Sequence, residues 1–294
     1  MIVHLIDGTY ELFRHFYGLR RAKQAVDPPL GAALGVLRTV VQMLEGGATH
    51  IGVATDHVIE SFRNALYDGY KTGEGIEPAL HAQFYPLEEM LASMGVAVWP
   101  MVELEADDGL ASAAHLAALD PRVEKVSIWT PDKDLAQCVV GDRVVQVDRR
   151  SGQVRNADVI KTKYGVAPEH IPDYLALVGD TADGYPGIAG IGTKTAASLV
   201  NRYGTIEAFP PDVLGPNRET ALLFKTLATL RTDAPLFTDV EQLRWTRATP
   251  SCATSTHRSR RCRMARSSAP RACAAKRSCA RRIRGSPCAC FAAT

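Results

Sequence analysis

Cysteine is nearly absent from the first 250 residues of this 294-residue sequence, where Cys138 stands alone. A disulfide framework is therefore excluded for this part, as is typical of proteins in a reducing compartment. No segment approaches the run of about 18 apolar residues that a membrane-spanning helix needs. Met1 is followed by a short apolar segment without the basic and cleavage-site features of a secretory signal. We therefore expect a cytoplasmic protein that does not contact membranes.

Acidic residues are missing from the end of the chain. Residues 251–294 contain eleven Lys and Arg, six of the seven cysteines, and no Asp, Glu, Leu or Val. Residues 1–250 carry 23 Lys and Arg against 32 Asp and Glu, a net charge of −9, although the whole chain has +2. We predict that residues 248–294 are a disordered tail, because this composition cannot build a core. A basic arm that binds nucleic acid is one interpretation, and a non-native, for example out-of-frame, ending is the one we favour.

Short apolar segments that end in aspartate recur along the acidic part. Residues 2–6 lead to Asp7, residues 51–55 to Asp56, and residues 126–130 to Asp132 and Asp134. Further short strands are predicted at 96–99 and 144–147, and a helix follows the stripe of Leu30, Leu34, Leu37, Val41 and Leu44, which we expect to face the core. Strands that alternate with helices predict an α/β fold with a mainly parallel central sheet flanked by helices. The aspartates should then converge at the carboxyl edge of the sheet.

Three more carboxylates, those of Glu105, Asp107 and Asp108, lie where a predicted helix begins. Taken alone they indicate an ordinary acidic first turn, because free N–H groups and the helix dipole favour negative charge there. Together with the aspartates at the strand ends they predict a cluster of carboxylates. Such a cluster repels itself unless cations neutralise it, and ligands that are all oxygen suit Mg²⁺ or Mn²⁺.

Residues 58–85 interleave aromatic and basic side chains, among them Arg63, Tyr70 and Lys71, with glycines that interrupt helix continuity. This pattern favours a mobile segment that handles a polyanion. The alternative is a solvated loop whose charges are incidental.

A glycine-rich stretch follows two further aspartates, Asp180 and Asp183. Gly187, Gly190 and Gly192 precede a helix predicted to begin near Thr193, and Lys194 follows at once. Backbone N–H groups at such a helix start can approach a phosphate. The stretch therefore predicts a helix-hairpin-helix turn that binds the nucleic-acid backbone without reading its sequence.

Taken in order, these motifs resemble the 5′-nuclease (flap endonuclease) family, above all the 5′-to-3′ exonuclease domain of bacterial DNA polymerases and its stand-alone relatives. The motifs are Leu-Ile-Asp7-Gly, Asp56 with Ser-Phe-Arg63, Gly-Tyr70-Lys71, Glu105-Ala-Asp107-Asp108, Asp132-Lys-Asp134-Leu, Gly-Asp180-x-x-Asp183 and Gly190-Ile-Gly192-x-Lys194-Thr-Ala. The resemblance covers about residues 2–245. It implies a PIN-like 5′-nuclease domain over 1–165, with an arch at 58–85 that admits a free 5′ end, and a helical helix-hairpin-helix subdomain over 166–247.

The resemblance also implies a mechanism. Two Mg²⁺ or Mn²⁺ ions would be held by Asp7, Asp56, Glu105, Asp107, Asp108, Asp132, Asp134, Asp180 and Asp183. Asp7, Asp56, Arg63 and Lys71 would be catalytic, and Arg63, Tyr70, Lys71, Gly190, Gly192, Thr193 and Lys194 would contact DNA, with one K⁺ at the hairpin turn. The activity implied is two-metal hydrolysis of DNA phosphodiester bonds, 5′-to-3′ exonucleolytic and at 5′ flaps, by a monomer that serves DNA replication and repair. RNA primers in RNA/DNA hybrids are further candidate substrates.

Three residues depart from the family pattern. Ala182 and Gly184 stand where Ser and Asn are usual, and Glu74 stands where a basic residue is common. We expect the first two to loosen the second metal site and the third to weaken arch contacts. The alternatives are a non-catalytic or weakly active flap-DNA-binding protein and a PIN-type ribonuclease, against which the glycine hairpin argues. The sequence leaves open the preference between exonucleolytic and flap cleavage.

Overall fold

A six-stranded sheet lies at the centre of the computed structural model, which describes residues 1–21 and 29–246. The strands are β1 (Ile2–Asp7), β2 (His50–Asp56), β3 (Ala97–Met101), β4 (Lys125–Trp129), β5 (Val144–Asp148) and β6 (Gln153–Arg155). Their order is β3-β2-β1-β4-β5-β6, and the first five strands in this order are parallel. Only β6 pairs antiparallel, as a hairpin with β5. The predicted mainly parallel α/β sheet is confirmed.

Helices cover both faces of this sheet, which is why its central strands read as nearly continuous apolar runs. The helices are α1 (Gly8–Arg21), α2 (Gly31–Glu45), α3 (Pro78–His81), α4 (Phe84–Ser93), α5 (Ala106–Leu119), α6 (Ala157–Tyr164), α7 (Ile171–Val178), α8 (Thr193–Tyr203), α9 (Pro211–Leu214) and α10 (Arg218–Ala228). Short 3₁₀ turns lie at Phe62–Ala65, Asp134–Cys138, Pro168–His170, Ile206–Ala208, Gly215–Asn217 and Val240–Leu243. On one face Val3 and Leu5 pack with α5, and on the other Ile6 packs with α1, α2 and α4. None of the described helices is long and apolar enough to cross a bilayer.

Helix α2 lies where the sequence predicted it, but its buried face is a different one. Its buried residues are Ala32, Ala33, Gly35, Val36, Thr39, Val40 and Met43. Leu34 is 42% exposed and Val41 is 38% exposed, so the prediction is wrong for these two, whereas Leu30, Leu37 and Leu44 are partly buried against the core. The small residues allow α1 to approach closely, because a Cβ added to Gly35 would lie 2.5 Å from the His15 ring. Close helix contact therefore overrides the leucine periodicity.

The helices after the sheet bury a core of their own, as predicted for a helical subdomain. Helices α7, α8 and α10 contribute Leu175, Val200, Phe224 and Leu227 to one apolar cluster. The chain then returns to the sheet, where the Trp245 N–H donates to the Thr49 carbonyl at 2.8 Å. The predicted tail, residues 248–294, lies outside the described residues.

Candidate active site

Four aspartates from strand ends and a helix start are among the residues that line a cavity of about 390 Å³ at the carboxyl edge of the parallel strands. These cavity carboxylates are Asp7, Asp56, Asp107 and Asp132. Asp7 ends β1 and Asp56 ends β2, while Asp107 lies in the first turn of α5 and Asp132 follows β4. Because β1, β2 and β4 run parallel, their ends meet at one edge. The expected convergence of these four side chains is observed.

Helix starts and hydroxyl groups hold two of the cavity carboxylates in place. Asp7 accepts a hydrogen bond from the Tyr10 N–H at 2.8 Å and one from the Thr130 hydroxyl at 3.1 Å. Asp56 accepts one from the Ala106 N–H at 2.8 Å, at the start of α5. The Asp56 N–H in turn donates to the Thr9 hydroxyl at 2.8 Å. Sequence reasoning missed both threonines, although each stands directly beside a strand end.

The cavity carboxylates disfavour one another's negative charge. Burial raises the pKa of Asp7 to about 7, with Asp56 and Asp132 adding to the rise and the bond from Tyr10 opposing it. Burial also raises the pKa of Asp107 well above its ordinary value, with further contributions from Asp132 and Asp7. Carboxylates that are buried together in this way are neutralised either by protons or by a bound cation.

A second group of carboxylates adjoins the cavity. In this loop cluster, consisting of Asp134, Asp180 and Asp183, one oxygen from each residue lies within 4.8 Å of the others. Asp183 also lines the cavity, so the two groups are continuous. The Asp134 Oδ1 atom is buried and has no hydrogen-bond partner among the described residues. Three oxygen donors, one of them unsatisfied, form a set that fits a hard divalent cation.

Lys133 adds a cation to the loop cluster that the sequence analysis did not single out. Its Nζ lies 2.6 Å from Asp180 Oδ2, and its side chain is one-third exposed. Its position between Asp132 and Asp134 was the available signal. Asp180 is therefore partly neutralised by a neighbour on the same edge of the sheet.

The glycine at position 184 has a steric explanation. Gly184 has a φ of +91°, and a Cβ there would lie 2.0 Å from the Gly69 carbonyl oxygen. The Lys71 N–H donates to the Asp183 carbonyl at 3.0 Å, and the Ala182 N–H donates to Asp180 Oδ1 at 2.9 Å. The loop therefore packs tightly on residues 69–71 and keeps its aspartates beside Asp134. The expected loosening of a metal site here stays a prediction.

Lys71 lies at the cavity, as expected of a residue that acts on substrate. Its Nζ is 2.7 Å from Glu105 Oε2 and 2.9 Å from Asp183 Oδ1, and its side chain is about one-third exposed. It is one of the residues that line the cavity. The ammonium group therefore joins the start of α5 to the loop cluster and remains accessible to an anion.

The structure contradicts the prediction that Arg63 contacts DNA. Arg63 is 0% exposed. Its guanidinium forms two bonds to Asp108, of 2.7 and 2.8 Å, and one of 3.1 Å to Glu105. It also donates to the backbone carbonyls of Leu227 at 2.8 Å and Thr229 at 3.2 Å. No side of this group is left to meet a phosphate.

The same contacts correct the prediction for Asp108. Besides Arg63, its oxygens accept bonds from the Glu105 N–H at 3.0 Å and the Arg231 N–H at 2.9 Å. It is 0% exposed. Asp108 faces the interior, does not line the cavity and is not part of the loop cluster, so we do not place it among the metal ligands.

Tyr70 is also buried, with 4% of its surface exposed, and its hydroxyl lies 3.3 Å from Glu105 Oε2. Its burial contradicts the prediction that it contacts DNA. It belongs instead to the apolar cluster of the helical region. From the rest of the predicted arch, Ile59, Thr72 and Ile76 line the cavity, and Glu74 is exposed.

The predicted hairpin turn is exposed at Gly190, Gly192, Thr193 and Lys194, directly before α8. A Cβ added to either glycine would meet no atom within 4 Å, so the backbone is open to a ligand. Gly187 differs, because a Cβ there would lie 2.4 Å from the Gly179 backbone. Its lack of a side chain is explained by packing inside the loop.

Comparison with known proteins assigns a family to this geometry. Residues 2–165 match the 5′-3′ exonuclease, N-terminal resolvase-like domain, and residues 166–251 match the 5′-3′ exonuclease, C-terminal SAM fold. The chain is 33% identical over 248 residues to the 5′-3′ exonuclease of Buchnera aphidicola subsp. Baizongia pistaciae, covering 78% of this chain and 81% of that protein. It is 32% identical over 207 residues to the 5′-3′ exonuclease of Aquifex aeolicus, covering 70% and 71%.

A longer protein also matches the chain, and a solved structure shares its fold. The chain is 32% identical over 259 residues to DNA polymerase I of Pseudomonas aeruginosa, covering 81% of this chain but only 28% of the polymerase. In fold it is similar to the T5 D15 protein co-crystallised with metal ions, with a TM-score of 0.62 at 20% identity, covering 78% of this chain and 89% of that one. The chain belongs to the 5′-3′ exonuclease family.

Proposed function

We propose that the protein is a metal-dependent 5′ nuclease that hydrolyses DNA phosphodiester bonds, removing nucleotides from a free 5′ end and cutting 5′ flaps. The observation that carries this proposal is the continuity of the cavity carboxylates with the loop cluster through Asp183. Seven buried or half-buried carboxylates at one sheet edge repel one another unless protons or bound cations neutralise them. Membership of the 5′-3′ exonuclease family supports the same activity.

The donor set fits two Mg²⁺ or Mn²⁺ ions, because every candidate ligand is a carboxylate oxygen. The residues proposed to hold them are Asp7, Asp56, Glu105, Asp107, Asp132, Asp134, Asp180 and Asp183. Bound ions would activate the attacking water and stabilise the leaving 3′ oxygen.

The chain's own groups orient and attract the substrate. The Lys71 ammonium lies beside Glu105 and Asp183 at the cavity, where it can contact the scissile phosphate and stabilise the charge that develops on it. The Tyr10 and Ala106 N–H groups keep Asp7 and Asp56 turned into the cavity. Apolar side chains of Phe13, Ile59 and Ile76 form part of the cavity wall.

We assign binding of the duplex part of the substrate to the helical region. The exposed turn of Gly190, Gly192, Thr193 and Lys194 presents backbone N–H groups and one ammonium to duplex phosphates. We place one K⁺ there and divide the chain into a nuclease domain, 1–165, with the arch at 58–85, and a DNA-binding subdomain, 166–247. We further propose a cytoplasmic monomer that acts in DNA replication or repair, with RNA primers as additional substrates.

A labelled 5′-flap duplex tests this function. The protein should release the flap with Mg²⁺ or Mn²⁺ and not with EDTA, and Asp7→Asn should abolish the release. Asp212→Asn, at an exposed aspartate of α9 outside both carboxylate groups, is the matched control and should cleave normally. DNA binding without cleavage under every metal condition would support the non-catalytic alternative. Cleavage of RNA but not of DNA would support the PIN-type ribonuclease.

A further inference from the structure

Arg63 is the largest fully buried side chain among the described residues. Burying a guanidinium is costly unless it is paired and hydrogen-bonded on every side. Its bonds link its own turn to two other parts of the chain. They connect the 3₁₀ turn Phe62–Ala65 to the start of α5 through Asp108, and to the end of α10 through the Leu227 carbonyl. The residue therefore joins the arch, the nuclease domain and the helical region at one point.

The same guanidinium also holds one carboxylate oxygen of Glu105. Glu105 Oε1 accepts bonds from Arg63 at 3.1 Å and from the Ser61 hydroxyl at 2.7 Å. Glu105 Oε2 accepts a bond from the Tyr70 hydroxyl at 3.3 Å and pairs with Lys71, which lines the cavity. Glu105 thus has one oxygen held by Arg63 and Ser61 and the other beside an ammonium group that borders the cavity.

We propose, building on the function assigned above, that Arg63 is a positioning residue for Glu105. By holding Oε1 it presents Oε2 to the metal site, and by gripping Asp108 it fixes the turn of α5 from which Asp107 projects. Arg63 then controls metal affinity and turnover without contacting either DNA or metal. Glu105, Arg63 and Asp108 are referred to below as the Arg63 network.

A double-mutant cycle separates this role from simple support of the fold. The four proteins are the unmutated chain, Arg63→Lys, Glu105→Gln and the double variant. Arg63→Lys keeps the charge and loses the fork geometry. Each protein is measured for Mn²⁺ affinity by calorimetry, for flap cleavage, for DNA affinity in Ca²⁺, and for thermal unfolding in EDTA. Arg122→Lys is the matched control, because Arg122 pairs with Asp120 and Asp239 on the surface.

Arg63→Lys should weaken Mn²⁺ binding about tenfold, as is common when the partner that orients a ligand is lost. The turnover number should fall with it, whereas DNA affinity in Ca²⁺ should not change. In the Glu105→Gln background the same substitution should change Mn²⁺ affinity by no more than about twofold. Equal losses in both backgrounds would show a purely structural role and overturn the proposal. A loss of DNA affinity with a smaller salt dependence would overturn it in favour of a phosphate contact.

Ser61→Ala keeps the test decisive if Arg63→Lys does not fold. This smaller change removes the other donor to Glu105 Oε1. It should weaken Mn²⁺ binding in the same direction, and the effect should again vanish when Glu105 is Gln. Equal effects in both backgrounds would again overturn the proposal. Failure of the unmutated chain to cleave in Mg²⁺ or Mn²⁺ would instead refute the nuclease function, while the Mn²⁺ cycle would still decide the role of Arg63.

Discussion

The cavity carboxylates and the Arg63 network both contain buried acids, and some of these acids are neighbours in the sequence. Those in the cavity lie beside other carboxylates, whereas those in the network lie beside a guanidinium. In the cavity, burial and then neighbouring carboxylates raise the pKa values of Asp7 and Asp107. In the Arg63 network, Asp108 meets a guanidinium and two backbone N–H groups. Asp107 and Asp108 are adjacent in sequence, yet one faces the cavity and the other the interior. Buried carboxylates that repel one another indicate a binding site, whereas a buried carboxylate paired with a cation indicates a structural contact between segments of the chain.

The largest expected effect comes from removing one unmatched charge. Asp56→Asn keeps the shape of the side chain and removes a proposed ligand, so flap cleavage should fall by orders of magnitude. DNA binding should persist or strengthen, because one negative charge fewer faces the phosphates. Cleavage rates in Mg²⁺ and flap affinity in Ca²⁺ measure the two effects. Unchanged cleavage would refute the assignment of Asp56 to the metal site.

In the Arg63 network, by contrast, removing a charge is expected to lower the stability of the fold. Asp108→Asn removes the carboxylate that makes two of the guanidinium's bonds and leaves Glu105 as its remaining anionic partner, which should lower the free energy of unfolding by about 3 kcal/mol. Urea unfolding in EDTA measures the loss. Asp233→Asn, which breaks an exposed pair with Arg231, should leave stability nearly unchanged. Similar stability for all three proteins would show that the Arg63 network contributes little.

In the metal-free protein, the raised pKa of a cavity carboxylate should make stability depend on pH. The pKa of Asp7 is about 7 when folded, against an ordinary value of 3.8. Between these values the folded protein keeps a proton that the unfolded chain has lost, so stability should fall as pH rises from about 4 to 7. The expected slope is on the order of 1 kcal/mol per pH unit. Unfolding in EDTA at several pH values measures it, and Asp7→Asn should reduce it, whereas an unchanged slope in that variant would assign the effect elsewhere.

The sequence predicted the sheet and the place where its aspartates meet, because both follow from local patterns. A short apolar run marks a buried strand, and parallel strands bring the residues at their ends to one edge. The sequence could not show that Asp107 and Asp108 point in different directions. That depends on Leu227 and Thr229, more than 100 residues away, whose carbonyls complete the pocket around Arg63.

Two other expectations failed for the same reason. Arg63 and Tyr70 are residue types that commonly contact nucleic acid, and the composition of residues 58–85 does not distinguish an exposed arginine from a buried one. The three-residue strand β6 was missed because it is too short to show a periodicity. Tertiary partners, which spacing along the chain does not reveal, decided the cases of Arg63 and Tyr70.

The smallest expected effect belongs to the region of the site that is exposed rather than buried. Lys194 lies on the open turn before α8, where its charge is screened by salt and is one contact among several. Lys194→Ala should therefore weaken flap binding modestly and equally for unrelated sequences, and lower the slope of log affinity against log salt by about 1. Fluorescence anisotropy in Ca²⁺ at several salt concentrations measures this, with Lys125→Ala, on β4, as a control expected to bind normally. A loss that depends on DNA sequence would mean that the turn reads bases, and the grip would then have to be assigned to a different surface.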